Sequence, residues 1–235
     1  MGSPTRFSNG VTNVGVSDPM RMLKVPDPTL MHIYSEDFDI YAAGDWTITA
    51  VGTGTSALGA VDGGALVVTT SALENDGRQH QHVAAGFTMA SGKKAMFKAR
   101  FKLDDVTQSD ILIGLAATDT TLVVAAGDGV TDGIFFQKDD GAATLDFYCQ
   151  LDTTTGQTSA TSVATLVNDT FVSVAWYYDG VDKVEYYIND AHKGTLSATS
   201  TYLPDAALAV SFAVLAGSAA ARALTVDYIV AAKER

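Results

Sequence analysis

The sequence contains little cysteine and little positive charge. Its single cysteine, Cys149, has no partner for an intramolecular disulfide, so the fold does not depend on an oxidising compartment. Lysine and arginine together number 15 against 27 acids, which leaves a formal net charge of −12. Such a chain lacks the cationic surface that displaces counterions from phosphates. We therefore expect no nucleic acid among its partners.

Targeting and membrane segments are also missing. Residues 1–13 lack the apolar stretch of a signal peptide. The longest uncharged apolar run, residues 207–221, is shorter than the ~20 residues that are needed to span a bilayer. We therefore expect a protein that is made in the cytoplasm and does not insert into a membrane.

The sequence does contain strong β-strand periodicity from Asp37 onward. Six Asp-Gly pairs separate short apolar runs, which is typical of a β-sandwich or barrel. The clearest pattern predicts three strands: Phe171–Tyr178, Lys183–Asn189 and Lys193–Leu196. Tight turns at Asp179-Gly180 and Asn189-Asp190 join them. The first of these strands has no charged residue on either face, which predicts an interior position in a sheet.

Other segments extend this pattern. Ala95–Leu103 alternates apolar residues with a cationic row, and Asp110–Ala117 is apolar on both faces, which predicts a central strand. Residues 118–132 are long for a loop, which indicates a role at a rim or an interface. With about a dozen strands, we predict an all-β fold, a two-sheet antiparallel jelly-roll sandwich over residues 37–235.

Residues 1–36 differ from the rest of the chain. They contain four of the five prolines and show neither helical nor strand periodicity. Proline restricts the backbone and removes a donor from any sheet ladder. Apolar residues nevertheless recur through the segment, and its three basic and three acidic residues balance. We predict an extended N-terminal arm, residues 1–36, that lies along its own domain or along a partner.

Four motifs occur in an order that resembles a known superfamily. They are F-K-A-R-F-K-L, I-L-I-G-L, D-G-I-F-F and V-A-W-Y-Y-D-G-V-D-K-V-E-Y-Y-I-N-D. Their order resembles the concanavalin-like, laminin-G-like jelly rolls over nearly all of residues 37–235. The resemblance implies the two-sheet fold, and it says little about function because one fold hosts many activities.

A narrower resemblance lies at the N-terminus. Residues 4–13, PTRFSNGVTN, precede a proline-rich segment and the FDIYAAGDWTIT stretch of residues 38–49. Together they resemble a family of tailed-phage capsid decoration, or cement, proteins, in which the position of Ser8 is often proline. The resemblance implies a structural virion protein on the outside of a phage head, often a homotrimer, whose arm contacts the major capsid protein.

The resemblance implies ten capsid-binding residues in the arm: Pro4, Arg6, Phe7, Asn9, Val11, Asn13, Met20, Leu23, Pro26 and Leu30. The alternative function is a lectin-like carbohydrate-binding module of a phage fibre or an adhesin. Tyr177 and Tyr187 are predicted on adjacent strands, on the face away from the core. They are candidates for a subunit contact or a sugar platform, and an ordinary pair of surface tyrosines is the simpler interpretation.

Two sets of residues have metal-binding types. His80 and His82 share one face of a strand and with a third ligand would bind zinc, or they are two polar residues on a solvated strand. Asp119, Asp128 and Asp132 concentrate oxygen ligands in loops, where jelly rolls of the laminin-G type often bind calcium, although Asp-Gly is also a turn signal. Without a complete ligand set, we expect no cofactor.

Catalytic motifs are absent. Retaining glycosidases of this type of fold need two acids on one strand face, commonly as Glu-x-Asp-x-Glu, and no strand carries that pattern. The nucleophile elbow G-x-S-x-G is missing as well. Cys149 lies in an apolar strand, which is typical of a small buried hydrophobe and not of a nucleophile. We predict that the protein is not an enzyme.

Overall fold

The computed structural model describes residues 28–125, 127, 129–152 and 156–235. These residues form sixteen β-strands and a short 3-10 helix at Ala43–Asp45. In chain order the strands are β1 Met31–Glu36, β2 Trp46–Val51, β3 Thr55–Leu58, β4 Leu66–Thr69, β5 Gly77–His82, β6 Phe87–Thr88, β7 Ala95–Leu103, β8 Ser109–Ala117, β9 Gly133–Lys138, β10 Thr144–Leu151, β11 Gly156–Thr165, β12 Val172–Tyr178, β13 Lys183–Ile188, β14 Ala191–Ser197, β15 Ala207–Ala216 and β16 Ala223–Glu234. None of the helical structure in these ranges is long and apolar enough to span a bilayer.

The strands form two antiparallel sheets. The first has the order β14-β13-β12-β7-β16-β4-β3, with β1 pairing along the end of β16. The second has the order β11-β10-β9-β8-β15-β5-β2, with β6 pairing with β15. Strands that are distant in sequence, such as β7 and β16, therefore lie side by side. The predicted two-sheet antiparallel sandwich is confirmed.

Strand alternation places the core between the sheets. In β7 and β12 every second residue is buried, and these residues include Phe97, Phe101 and Trp176. Phe136, Phe147 and other large side chains from the second sheet complete the core. The period of two in the sequence thus decided which face each strand buries. The predicted interior position of β12, between β7 and β13, is confirmed.

Tight turns close the β12–β14 meander as the sequence predicted. Asn189 and Asp190 both have positive φ, at 49° and 62°, which suits a two-residue hairpin turn. Gly180 has a φ of 82° in the preceding turn. Because this turn conformation is tight, β14 begins already at Ala191, two residues before the predicted start.

The predicted arm ends earlier than the sequence indicated. Met31–Glu36, its last six residues, form β1, which pairs in continuous register with β16 from Met31↔Glu234 to Glu36↔Ile229. The prediction that all of residues 1–36 are an aperiodic arm is therefore wrong for this stretch. Its burial pattern is intermediate and does not alternate, so sequence periodicity had no signal to detect. Residues 1–27 lie outside the described residues, and their extended form stays a prediction.

Candidate interaction surfaces

Part of the outer face of the second sheet is covered by the loop between β8 and β9, of which residues 118–125, 127 and 129–132 are described. Leu122, Val123 and Val130 of this loop form a small apolar cluster with Phe135 and Leu215 of the sheet. This cluster explains why β8 is buried on both faces, one against the main core and one beneath the loop. The sequence indicated a role for the loop at a rim or an interface, and the structure shows it packed against its own sheet.

Two buried glutamines of β5 bind the loop backbone. Gln79 donates from Nε2 to the Asp119 carbonyl at 2.7 Å and accepts from the Leu122 N–H at 2.9 Å. Gln81 accepts from the Asp119 N–H at 2.8 Å and donates to the Ala117 carbonyl at 3.0 Å. Buried polar groups that are paired in this way hold one conformation. These four hydrogen bonds therefore hold the loop backbone against the sheet.

The calcium candidates do not form a ligand cluster. Asp119 accepts a hydrogen bond from the Thr121 N–H at 2.8 Å, as a turn residue does. Asp132 is buried, which raises the pKa of its carboxyl, and it accepts backbone hydrogen bonds from Asp152 and Asp205. Asp128 lies outside the described residues. Among the residues described, no group of three or more His, Cys, Asp or Glu side chains is placed to hold a metal ion.

The interpretation of His80 and His82 as polar residues on a solvated strand is wrong for His80. Its side chain is fully buried and stacks on Phe212, with ring centroids 4.8 Å apart and an interplanar angle of 7°. His82 packs against Tyr34 at 4.6 Å between ring centroids. The His80 imidazole points into an aromatic end of the core, because β5 turns this face toward the other sheet, and the half-buried His82 lies at the edge of the same aromatic group.

His80 forms a pair with Ser56 that resembles a catalytic dyad in distance alone. Its Nε2 lies 2.9 Å from the Ser56 hydroxyl, which also accepts from Arg78 Nε at 2.7 Å. Burial lowers the pKa of His80 to about 3, so this imidazole does not take up a proton near neutral pH. Its Nδ1 has no partner among the described residues, whereas a catalytic histidine is oriented there by a third group. The pair is a structural hydrogen bond.

The acids of the second sheet are also used structurally. Asp146 accepts from the Ser162 N–H at 2.6 Å, and its neighbour across the strand pair is Gln137 and not a second acid. Asp110 is only 1% exposed, so a bound substrate could not contact its carboxyl group. Cys149 is buried as predicted, and burial raises the pKa of its thiol to about 12. These geometries provide no pair of exposed carboxyls for glycoside chemistry.

The outer face of the first sheet carries Tyr177 and Tyr187, as the sequence predicted. In the register Tyr177 lies opposite Glu185 and Tyr187 lies opposite Ala175, so the two tyrosines are diagonal neighbours on one face. Both are partly exposed. The Tyr187 hydroxyl donates to Glu185, and its ring contacts His192 at 5.4 Å between centroids. We call this pair and its surroundings on β12 and β13 the tyrosine face.

The cationic row of β7 borders the tyrosine face and is largely neutralised. Each cation pairs with one acid: Lys98 with Asp190 at 2.6 Å, Arg100 with Asp227, and Lys102 with Asp169 at 3.9 Å. The Arg100 guanidinium also lies 4.3 Å from the centroid of the Phe171 ring. Because these charges are compensated, the face offers aromatic contact more than it offers net charge.

Of the ten predicted arm contacts, the described residues contain only Leu30. Its side chain is 63% exposed, and its carbonyl accepts from the Arg235 N–H at 2.9 Å. Arg235 also donates from Nε to the Pro28 carbonyl at 2.9 Å. Pro28 and Leu30, next to residues 1–27, are therefore held by Arg235, the residue that follows β16. The other nine candidates, from Pro4 to Pro26, lie outside the described residues.

Comparison with known proteins identifies the fold. No protein-family model matches the chain, and no curated protein is significantly similar in sequence. A protein of unknown function from Shewanella oneidensis MR-1 superposes with a TM-score of 0.61 at 14% identity, covering 95% of this chain and 97% of that chain. The endo-1,3-β-glucanase of Streptomyces sioyaensis gives a TM-score of 0.62 at 11% identity, covering 88% and 97%. Peanut lectin gives 0.56 at 11% identity, covering 86% and 97%.

The chain therefore has the concanavalin-like jelly-roll fold. Identities this low support the fold alone. Because proteins of this fold include both a glucanase and a lectin, the fold does not separate an enzyme from a binding protein. None of these three similar structures points to a phage capsid.

Proposed function

We propose that the protein is a non-catalytic decoration protein of a tailed-phage head, in which residues 1–30 contact the major capsid protein and the jelly roll lies on the capsid exterior. The observation that carries this proposal is the PTRFSNGVTN segment and its proline-rich continuation, joined to a jelly roll. The fold comparisons do not address the capsid role. The absence of an exposed acid pair on the strands described favours a binding role over hydrolysis.

Two structural features support a binding function for the N-terminal segment. Every described strand lies between Met31 and Glu234. Arg235 donates to the carbonyls of Pro28 and Leu30, so the C-terminal end of that segment is attached at a defined point of the body. A contact segment tethered at a defined point binds more tightly than one that is free, because less orientational entropy is lost.

Head binding tests this proposal directly. We expect the triple substitution Phe7→Ala, Val11→Ala and Leu23→Ala to reduce co-sedimentation with heads by about tenfold or more, since each removes apolar contact area. The heads are assembled from the major capsid protein encoded in the same genome. Leu73→Ala is the matched control, because Leu73 is an exposed leucine of the body. Equal binding of the triple variant and the wild type, with circular dichroism unchanged, contradicts the proposal.

A carbohydrate-binding module is the second candidate. It is favoured by the fold shared with peanut lectin and by the two partly exposed aromatic rings of the tyrosine face. For the decoration protein, the same rings are a candidate subunit contact in a homotrimer. Three chains of 24.6 kDa have a mass of about 74 kDa.

One pair of substitutions separates these roles. For a subunit contact, we expect Tyr177→Ala with Tyr187→Ala to shift a trimer of about 74 kDa toward monomer in light scattering, with no glycan binding in either protein. The corresponding Tyr→Phe variants keep the rings and serve as the control. Glycan-array binding by the wild type that is lost in the Ala variants, with the mass unchanged, favours the carbohydrate-binding module instead.

A further inference from the structure

A cleft opens at one end of the sandwich, between the edge of the first sheet and the segment at residues 86–93. Its volume is about 470 Å³. His32 of β1 and Lys233 of β16 lie directly opposite each other in register and line one wall, together with Arg235. Thr88 and Lys93 line the other wall. The cleft therefore forms where β1, β16, β6 and the turn that precedes β7 meet.

The charge of this cleft is opposite to that of the chain. Lys93, Lys233 and Arg235 line it beside the imidazole of His32, and Glu234 is the one acid among its lining residues. The chain as a whole carries −12. Among the described residues, the ion pairs between side chains involve other cations of the chain and none of these three. Glu234 accepts from the Lys94 N–H at 2.9 Å through Oε2.

Hydrogen bonds to main-chain oxygens position the three cations. Lys233 donates from Nζ to the Thr88 carbonyl at 3.4 Å, which leaves its charge uncompensated. Lys93 donates to the main-chain oxygen of Arg235, the last residue of the sequence, whose terminal carboxyl group offsets the charge of Lys93. Arg235 donates from Nε to the carbonyls of Pro28 and Met31. A lysine ammonium has three donors and a guanidinium five, so each cation keeps further N–H groups for a ligand.

The electrostatic environment is consistent with unbalanced positive charge. Burial lowers the pKa of Lys233, and Arg235 lowers it further. Burial, Lys233 and Arg235 together lower the pKa of His32. An anion in the cleft would relieve this mutual repulsion and would accept the spare hydrogen bonds, which are stronger when both partners are charged.

We propose that this cleft binds an anionic ligand that carries carboxylate or phosphate groups, through Lys233 and Arg235, with Lys93 at its other wall. The site is separate from the tyrosine face, and Arg235 joins it to Pro28 and Leu30 at the end of the segment in the capsid proposal. Its test uses no heads, so its failure is distinguishable from a failure of head binding. A free phosphate compound and an acidic segment of a protein partner have the same recognition chemistry, and the experiment distinguishes them.

The test is a titration of the full chain followed by NMR of its four histidine rings. Inorganic phosphate and a hexaglutamate peptide are added separately at pH 7 and low salt. We expect saturable shifts of the His32 signals, with the exposed His192 nearly unchanged. Tighter binding of the peptide indicates an acidic protein segment as the ligand, and tighter binding of phosphate indicates a small phosphate compound. Either outcome supports the site.

Variants make the assignment specific. We expect Lys233→Gln to weaken binding about fivefold, the effect of one nearby unit charge at a protein surface. Lys193→Gln, at an exposed lysine of β14, is the control and should leave the affinity unchanged. Absence of saturable His32 shifts with both ligands, or equal weakening by the two variants with circular dichroism unchanged, overturns the proposal.

Discussion

Replacing Trp176 with alanine is expected to lower the free energy of unfolding by about 3–5 kcal/mol, the range found for removal of a buried large aromatic side chain. Trp176 is 1% exposed and lies at the centre of the first sheet. Its ring stacks on Phe97, with centroids 6.2 Å apart and an interplanar angle of 17°. Both neighbouring strands are rigidly paired, so the cavity would close only in part. Urea unfolding followed by circular dichroism measures the loss.

Trp176→Phe is the matched control for this substitution. The indole Nε1 of Trp176 has no partner in the described part of the chain, so phenylalanine removes a buried polar group along with some volume. We expect it to cost less than about 1.5 kcal/mol. A loss below about 1 kcal/mol for Trp176→Ala would show that β12 is not the interior strand on which the core depends.

Asp110→Asn is expected to stabilise the protein at pH 7 by about 1–3 kcal/mol. The carboxyl of Asp110 is 1% exposed and accepts from the Asp140 N–H at 2.6 Å, while its Oδ2 has no partner among the residues described. Burial raises the pKa of Asp110 from 3.8 to about 6, against the opposing effects of the Asp140 hydrogen bond and of Lys138. At pH 7 the folded protein therefore holds an ionised group in an unfavourable site.

The sign of the pH dependence follows from this shift. Because the folded pKa lies above the unfolded value, the folded state binds the proton more tightly between about pH 4 and pH 6. The stabilisation that the protonated Asp110 carboxyl contributes is complete below pH 4 and is lost as the pH rises through 6. The free energy of unfolding falls by up to about 3 kcal/mol over this range. The gain from Asp110→Asn should accordingly be large at pH 7 and small at pH 4.

Urea unfolding of wild type and variant at both pH values checks this result. Asp182→Asn, at an exposed acid, is the control and should show no such difference between pH 7 and pH 4. A variant that is less stable than the wild type at pH 7 would mean that attraction between the Asp110 carboxylate and the buried Lys138 outweighs the cost of burial.

Strands with regular alternation were predictable because their burial depends on a local period of two. Ala95–Leu103 was predicted with the bounds that the structure shows, and Phe171–Tyr178 differs from β12 by one residue. Short strands at the edges were harder to predict. Thr55–Leu58 and Phe87–Thr88 have too few residues for a pattern, and β1 owes its position to pairing with β16 near the other end of the chain.

The candidate surfaces also divide into features that local alternation predicted and features that depend on distant contacts. Alternation placed Tyr177 and Tyr187 on one outer face, and the structure agrees. The burial of His80 depends on the opposing sheet, where Phe212 meets its ring, and no feature of the QHQH sequence indicated it. The cationic cleft joins residues near positions 32, 93 and 233, so no local motif in the sequence could indicate it.

The sequence by itself determined the all-β class, the interior strand at Trp176 and the face of each regular strand, because these depend on side-chain order along one strand. Only the tertiary structure decided that the described residues of the loop between β8 and β9 pack on one sheet face, that β1 belongs to the sheet, and that Lys93, Lys233 and Arg235 share a cleft. Each of these features depends on contacts between segments distant in the chain, which sheet pairing and sheet packing bring together.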